Sequence, residues 1–357
     1  MLTIEGFKMG HEMHVLSSSA EDPAAQVTRF WHEGDIKNPT AIKAFLKQVD
    51  VTTIESEFLA ESILKDREII SNRSLCPSAQ AISIFADRFD QKNWLEKHRI
   101  PTSSFSGLLT KIEAYAFLNS KKNRDSVVFK KRHFGYDGFG TFIVHGRKKI
   151  EAWLNKHSQN LSQYIIEDFI KFKRELAIQI AINEKKEVCF FPLVEWKAEN
   201  SKCLWVKGPA KAKNLNPIVK KITHGLQEMN YVGLIAFEFF DTPSGLIVNE
   251  VAPRVHNSGH YSLEALAFNQ FRAHLCAITN QPLPKKPIPF SKAFAMYNLI
   301  GETNKTPILS NSENVSLHWY GKSENRTGRK MGHLTALGTT PDLALKKLLT
   351  AKKGFKL

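Results

Sequence analysis

Two apolar runs, Leu234–Phe240 (L-I-A-F-E-F-F) and Leu246–Val248, are separated only by the turn-forming Asp241-Thr-Pro-Ser-Gly245. Runs of that length around a short Pro/Gly turn read as an antiparallel hairpin, which commits this part of the chain to a sheet. The second run continues directly into Asn249–His260, N-E-V-A-P-R-V-H-N-S-G-H. That stretch gathers an amide, a carboxylate, an arginine and two histidines in one loop. Pairing centred on the turn puts Glu238 nearly opposite Val248 and makes Glu250 its diagonal neighbour on the same face, about 7–8 Å away. Two carboxylates at that spacing, with Asn249 beside them, suit Mg²⁺, whose shell of hard oxygen ligands is completed by phosphate oxygens. The alternative is a strand glutamate turned to solvent, but acids are uncommon inside buried strands.

The rest of the chain bounds the class. It has 357 residues, 42% hydrophobic and 24% charged, enough for two or three globular domains. No run approaches the length of a membrane span. The N-terminus, M-L-T-I-E-G-F-K-M-G, lacks the apolar core and small-residue cleavage site of a signal peptide. The four cysteines (Cys76, Cys189, Cys203, Cys276) are scattered, with no C-x-x-C pair. That usage points to reduced thiols in a cytoplasmic protein. The net charge of +15 raises nucleic-acid binding, yet the Lys/Arg residues fall in small dispersed clusters with no recognition module beside them. The same balance suits an enzyme handling anions such as ATP, bicarbonate or a sugar phosphate.

Along the chain, residues 1–85 alternate short strands (Met13–Ser17, Val51–Glu55) with helices (Pro39–Lys47, Glu57–Lys65), the rhythm of a parallel α/β sheet. Ala86–His98 reads as a helix, which Pro101 follows with an extended exit. The pattern then turns β-rich, with strands expected at Ser126–Lys131, Gly140–Val144, Tyr164–Asp168, Glu175–Ile182 and Cys189–Val194 before the hairpin. A helix over Leu263–Ile278 precedes the Pro-rich boundary at residues 281–289, and a small β-containing tail ends in a basic helix.

Three further segments carry chemistry. In Phe129–Gly140, F-K-K-R-H-F-G-Y-D-G-F-G, glycines at 135, 138 and 140 let a loop aim backbone N–H groups at phosphate oxygens, and Lys130 adds a cation. A merely structural loop would look similar. Tyr164–Ile170 followed by Glu175 offers a strand edge for a purine and a carboxylate for ribose hydroxyls, although each glutamate alone also reads as a surface charge. Near the C-terminus, His318–Lys322 and Arg326–His333 flank a basic turn in which Lys322 and Arg329 could clamp a phosphate monoester.

Taken together and in order, several segments resemble one family. They are A-D-R-F-D-Q-K with Arg88, Gln91 and Lys92, the loop K-K-R-H-F-G-Y-D-G-F-G, E-D-F-I-K-F-K-R-E-L, Y-V-G-L-I-A-F-E, N-E-V-A-P-R-V-H-N-S-G-H and R-T-G-R-K-M-G-H. The chain is similar, from residue 1 to about 335, to the N5-carboxyaminoimidazole ribonucleotide synthases, ATP-grasp ligases of purine biosynthesis. The resemblance implies a mixed α/β and α+β architecture. A doubly wound, Rossmann-like domain over 1–86 would lack its first strand. The ATP-grasp domain would cover 87–287, with a lid at about 105–166, and a small β-containing domain 288–357.

It also implies the site. Arg88 and Lys130 would bind nucleotide phosphates under the loop Gly135, Tyr136, Asp137, Gly138, Phe139, Gly140 and Thr141. Glu167, Asp168, Phe169 and Ile170 would line adenine, with Glu175 at the ribose. Glu238, Asn249 and Glu250 would hold Mg²⁺, Asn249 and Glu250 also touching the nucleotide. Tyr136, Asp137, Arg254, His256, Lys322 and Arg329 match positions for aminoimidazole ribotide, and Lys130, Asp137, Arg254 and His256 would carry catalysis. The implied reaction is ATP- and bicarbonate-dependent carboxylation of the ribotide amine through carboxyphosphate, in the cytoplasm, by a family that is commonly dimeric, with no nucleic-acid or membrane partner.

The sequence departs from the family in three places. Met1 falls where the family's first helix has already begun, so about a dozen residues of strand and Gly-rich turn are expected upstream. Phe134 replaces a second loop glycine, and Trp196 and Ala198 stand where the family has asparagine and histidine. Two other readings follow from these departures: a catalytically impaired nucleotide- or ribotide-binding relative, and an ATP-grasp ligase for a different amine.

Overall fold

A computed structural model of the chain describes all residues except 60, 122–123, 136–137, 200–201, 304, 306–307, 309–313 and 357, with the backbone alone at 61. The N-terminal region pairs β1 (His14–Ser17) with β2 (Phe30–Glu33) in parallel. Behind them the helix Pro39–Leu46 starts on an Asn38 cap with proline in its first turn, the preferred chemistry for a helix start. The strand expected over Val51–Glu55 is reduced to one parallel bridge between Thr52 and Leu75. A cavity of about 1050 Å³ is lined by β1 on one side and by residues 48–56 on another. The helix expected over Glu57–Lys65 is a single turn, Glu61–Leu64.

A second sheet lies in the segment expected to form a lid, in the order β3 (Phe105–Gly107), β6 (Tyr164–Asp168), β4 (Ser126–Lys131), β5 (Thr141–His145). It has its own core, in which Phe129 stacks on Trp153 at 3.7 Å between ring centroids. The helix Lys111–Asn119 over this core begins with a full Thr110/Glu113 capping box.

The main sheet has nine strands and is built on β7 (Arg174–Ile182), whose residues from Leu176 onward are all buried. A run buried on both sides, apolar except for Gln179, needs cover on both faces. Leu176, Ile178, Ile180 and Ile182 enter one core with the helix Leu215–Glu228, while Ala177 and Ala181 enter another with the helix Gln270–Ile278. To one side of β7 lie β11 (Gly233–Thr242) and β12 (Gly245–Ala252). To the other lie β9 (Val194–Glu199), β10 (Lys202–Gly208), β13 (Ala293–Ile300), β15 (Lys330–Gly338) and β14 (Ser316–Trp319), and β8 (Val188–Phe190) pairs with β7 off this path.

Two expected elements are broken by identifiable residues. The strand over Cys189–Val194 divides into β8 and β9 around Pro192, which has no N–H for a ladder. The helix over Leu263–Ile278 divides into Ser262–Ala265 and Gln270–Ile278. Between them the backbone pairs with the Ile288–Phe290 segment, and the Asn269 side chain caps the second helix through Arg272 N–H.

The hairpin is present, with a different register from the expected one. Phe239 faces Val248, and the ladder then shifts so that Glu238 faces Glu250 directly rather than diagonally. Asn249 is the extra residue of a β-bulge, a device that re-aims side chains beside a site. Burial alternates along β12 until Asn249 and Glu250, which are both partly exposed in succession. Cross-strand neighbours share a face. Glu238 faces Ala177 and Phe240 faces Glu175, so Glu175, Glu238 and Glu250 lie on one face of the sheet. That face continues through Trp196, Val206 and Met296 to Asn298, which is opposite His333.

Candidate active site

The lid meets the sheet through the helix Arg88–Lys97, whose start is fixed by the Asp87 cap. Arg88 donates to Glu250 Oε1 at 2.9 Å, to the Lys131 carbonyl at 3.0 Å and to the Gly135 carbonyl at 3.2 Å. One guanidinium thus ties the bulged strand to the glycine-rich loop. Gly135 is required by this approach, because a Cβ there would come within 1.9 Å of Arg88 Nη1. Lys130, at the end of β4, donates to Asn249 Oδ1 at 2.9 Å and lies 3.3 Å from Glu167 Oε2.

Glu167 is therefore buried beneath the site rather than spread along its surface. Its Oε2 accepts from Ser103 Oγ at 2.8 Å and faces a second ammonium, Lys92, at 3.3 Å, whereas Oε1 is buried with no hydrogen-bond partner among the described residues. Burial would raise its carboxyl, but Lys130 and Lys92 outweigh that and hold it below the usual range. The Asp168 side chain is committed to Lys121 (2.5 Å) and Arg124 (2.6 Å) within the lid. Phe169 packs edge-on to His145 at 5.2 Å. What remains toward a ligand at Asp168, Phe169 and Ile170 is backbone and ring, the polar edge and apolar surface that a purine needs. Glu175 makes no side-chain hydrogen bond among the described residues, and burial pushes its carboxyl up to about 7.

In the loop after β5's partner strand, Thr141 N–H closes onto the Gly138 carbonyl, Gly138 and Gly140 have positive φ, and Phe139 is exposed beneath the Lys131 ammonium. Tyr136 and Asp137 lie outside the described residues.

Beyond the bulge, Arg254 is gripped by both oxygens of Glu57, from the N-terminal region, and donates to the Val255 carbonyl at 3.1 Å. Burial works against its charge, but Glu57, Glu250 and Glu238 raise its pKa. His256 shares Nδ1 with Ser258 Oγ at 2.8 Å and points Nε2 toward Glu238 at 3.7 Å. Burial, with Arg254 and Lys330 nearby, drives its pKa well below the usual value, so the ring is a neutral hydrogen-bonding group. Arg254, His318, Lys322 and Lys330 all line the cavity beside β1. Lys322 donates to the Lys330 carbonyl at 2.7 Å, while Arg329 turns to the Glu324 carbonyl at 3.2 Å and is not among the cavity's lining residues.

The structure therefore brings Arg88, Lys130, Glu238, Asn249, Glu250, Arg254 and His256 together around the bulge. Sequence reasoning passed over Glu57, Ser103 and Lys330, and gave Lys92 no role. Glu57 and Ser103 carry no local signal, since their partners are 197 and 64 residues away. Lys92, one helical turn beyond Arg88, was open to reading by its spacing.

Residues 93–271 match the ATP-grasp domain, residues 295–347 the phosphoribosylaminoimidazole carboxylase C-terminal domain, and residues 1–86 the ribonucleotide synthetase preATP-grasp domain. The chain is 31% identical over 344 residues to N5-carboxyaminoimidazole ribonucleotide synthase of Synechococcus elongatus, covering 94% of this chain and 86% of that one. The Staphylococcus aureus synthetase complexed with ADP superposes with a TM-score of 0.87 at 25% identity, covering 98% of this chain and 93% of that one. The Aspergillus clavatus enzyme in complex with ADP and 5-aminoimidazole ribonucleotide gives 0.82 at 27%, covering 99% and 95%. The chain belongs to the ATP-grasp enzymes and, among them, to the N5-carboxyaminoimidazole ribonucleotide synthase family.

Proposed function

We propose that this protein uses ATP and bicarbonate to carboxylate the exocyclic amine of 5-aminoimidazole ribonucleotide, as an ATP-dependent carbon–nitrogen ligase of purine biosynthesis. The observation that carries the reading is the bulge at Asn249. It turns Glu238, Asn249 and Glu250 to one face, with the Arg88–Lys130 cations on one side and Arg254 and His256 on the other.

In the first step a bicarbonate oxygen attacks the γ-phosphorus, the bond to the β-phosphate oxygen breaks, and ADP leaves carboxyphosphate behind. Such transfer needs positioning and charge stabilisation more than covalent help. Arg88 and Lys130 supply the positive charge, Glu175 takes the ribose hydroxyls, and the 135–141 loop excludes water from an intermediate that hydrolyses readily. In the second step the ribotide amine nitrogen attacks the carboxyl carbon, phosphate leaves and the nitrogen loses a proton. Arg254, held by Glu57, and neutral His256 orient the acceptor, with Asp137 as their proposed catalytic companion. Lys322 and Lys330 serve the ribotide phosphate from the cavity wall, and Arg329 joins them only by leaving the Glu324 carbonyl.

Among the described residues no cluster of three or more His, Cys, Asp or Glu side chains makes a self-contained metal site. Two carboxylates and an amide on one face still fit Mg²⁺, which keeps several non-protein oxygen ligands. When bound, it would neutralise charge on the phosphates. We take the domains as 1–86, 87–287 with its lid at about 105–166, and 288–357. The resemblance alone supports a cytoplasmic homodimer acting on small molecules; no helix among the described residues is long and apolar enough to cross a membrane.

Trp196 lies directly across from Glu175, and Ala198 is two residues further along β9, which gives the different-amine reading its one structural foothold. ADP release from ATP, Mg²⁺ and bicarbonate, with and without the ribotide, separates the readings. Ribotide-dependent release is expected. Nucleotide binding without turnover would mark an impaired relative, and turnover only with another amine would overturn the substrate.

A further inference from the structure

Lys92 is buried, with its side chain 1% exposed. It lies one helical turn after Arg88, on the same face of the helix. Between them Gln91 grips both the N–H and the carbonyl of Val251, fixing that face against β12. Lys92 Nζ lies 2.9 Å from Thr102 Oγ1, 2.8 Å from Ser103 Oγ and 3.3 Å from Glu167 Oε2.

The direction of these bonds is determined. Thr102 donates its hydroxyl hydrogen to the Val248 carbonyl, and Ser103 donates its own to Glu167. Both hydroxyls can therefore only accept from Lys92, and its third N–H is left for the carboxylate. Burying an ammonium costs several kcal/mol unless its protons are satisfied and its charge is paired, and here both conditions are met. Glu167 Oε2 in turn faces two ammonium groups, Lys92 and Lys130, each at 3.3 Å. One negative charge between two positive ones leaves a net positive charge. Lys92 is enclosed by Thr102, Ser103 and Glu167, so that charge is available at Lys130.

We propose that Lys92 is a positioning residue for Lys130: by sharing Glu167 inside the lid–sheet junction, it keeps the Lys130 charge available for a nucleotide's phosphates. This rests on the nucleotide site described above. Without Lys92, the Glu167–Lys130 pair is neutral, and Lys130 is drawn toward the carboxylate in a region where charge interactions are poorly screened. The role is distinct from holding the fold together, because it acts on phosphate recognition and leaves nucleoside recognition alone.

The test is calorimetric binding of ADP and of adenosine to the full chain, for the wild type, Lys92→Met, Lys92→Gln and Lys92→Gln/Glu167→Gln, with thermal melts alongside. Lys92→Gln can still hydrogen-bond the two hydroxyls, and so serves if the methionine variant does not fold. In the single variants the Kd for ADP should rise on the order of tenfold, while that for adenosine changes less than about twofold. In the double variant the ratio of ADP to adenosine affinity should return toward wild type, because the carboxylate that captures Lys130 is gone. Equal weakening of both ligands, unchanged ADP binding, or a double variant no better than the single would overturn the proposal. A wild-type chain that binds neither ligand would instead overturn the nucleotide site on which it rests.

Discussion

Glu238 and Glu250 face each other directly across β11 and β12, because Asn249 is an extra residue in the second strand. Their shared face, with Arg88 on Glu250 and Lys130 on Asn249, joins the proposed nucleotide half of the site to the proposed acceptor half. Glu250→Gln removes the charge that faces Arg88 and would face the proposed Mg²⁺. It is expected to lower kcat on the order of 10²-fold or more at saturating ATP. A near-normal rate would remove Glu250 from the metal set.

Gly135→Ala should displace the Arg88 guanidinium, since the new Cβ would sit on Nη1. Arginine side chains are flexible, but this one is buried and bonded to three acceptors, so moving it breaks its contact with Glu250. Steady-state kinetics should show an ATP KM raised about tenfold with the ribotide KM unchanged. An unchanged ATP KM would mean the loop does not approach the phosphates through Arg88.

Lys322→Ala should act on the other substrate. It lines the cavity together with Arg254 and Lys330. The ribotide KM should rise about tenfold while kcat and the ATP KM stay within about twofold. If the ribotide KM does not move, Lys322 is not at the ribotide phosphate.

Stability should fall in mild acid. His274 accepts the Leu234 N–H at Nδ1 (3.0 Å), so its Nε2 donates to Thr53 Oγ1 (2.7 Å), joining the N-terminal region to the main sheet. Burial lowers its pKa to about 4. The unfolded chain takes up this proton near pH 6.5 and the folded chain only near 4. The contribution is therefore complete above pH 6.5 and declines as pH falls toward 4, by about 3 kcal/mol for this residue. His256, His260 and His333 are shifted in the same direction by burial and add to the slope. Urea unfolding between pH 7.5 and 5 should follow this decline. His274→Asn, which keeps an acceptor without a titrating ring, should make it shallower, and an unchanged slope would exclude His274 as a source.

Much of this was legible in the sequence. The turn Asp241–Gly245 between apolar runs announced the hairpin, and the glycines of 135–140 announced the loop. Pro192 and Asn269 carried readable signals for the breaks they cause, one by lacking an N–H and the other by capping a helix. The bulge at Asn249 was not legible, because an extra residue leaves no compositional mark and only the partner strand reveals the slip. Nor were the Glu57–Arg254 grip and the two ammonium groups around Glu167, which depend on packing between distant segments. Val51–Glu55 has the composition of a strand, but a strand forms only where a neighbour is within bonding reach.

In the proposed reaction the face around Glu238 and Glu250 makes carboxyphosphate and passes its carboxyl to the ribotide. The fate of oxygen from ¹⁸O-labelled bicarbonate during ribotide-dependent turnover with Mg²⁺ and ATP tests this. One labelled oxygen is expected in each phosphate released, formed together with ADP and the carboxylated ribotide. ADP and phosphate released without label from bicarbonate would contradict it.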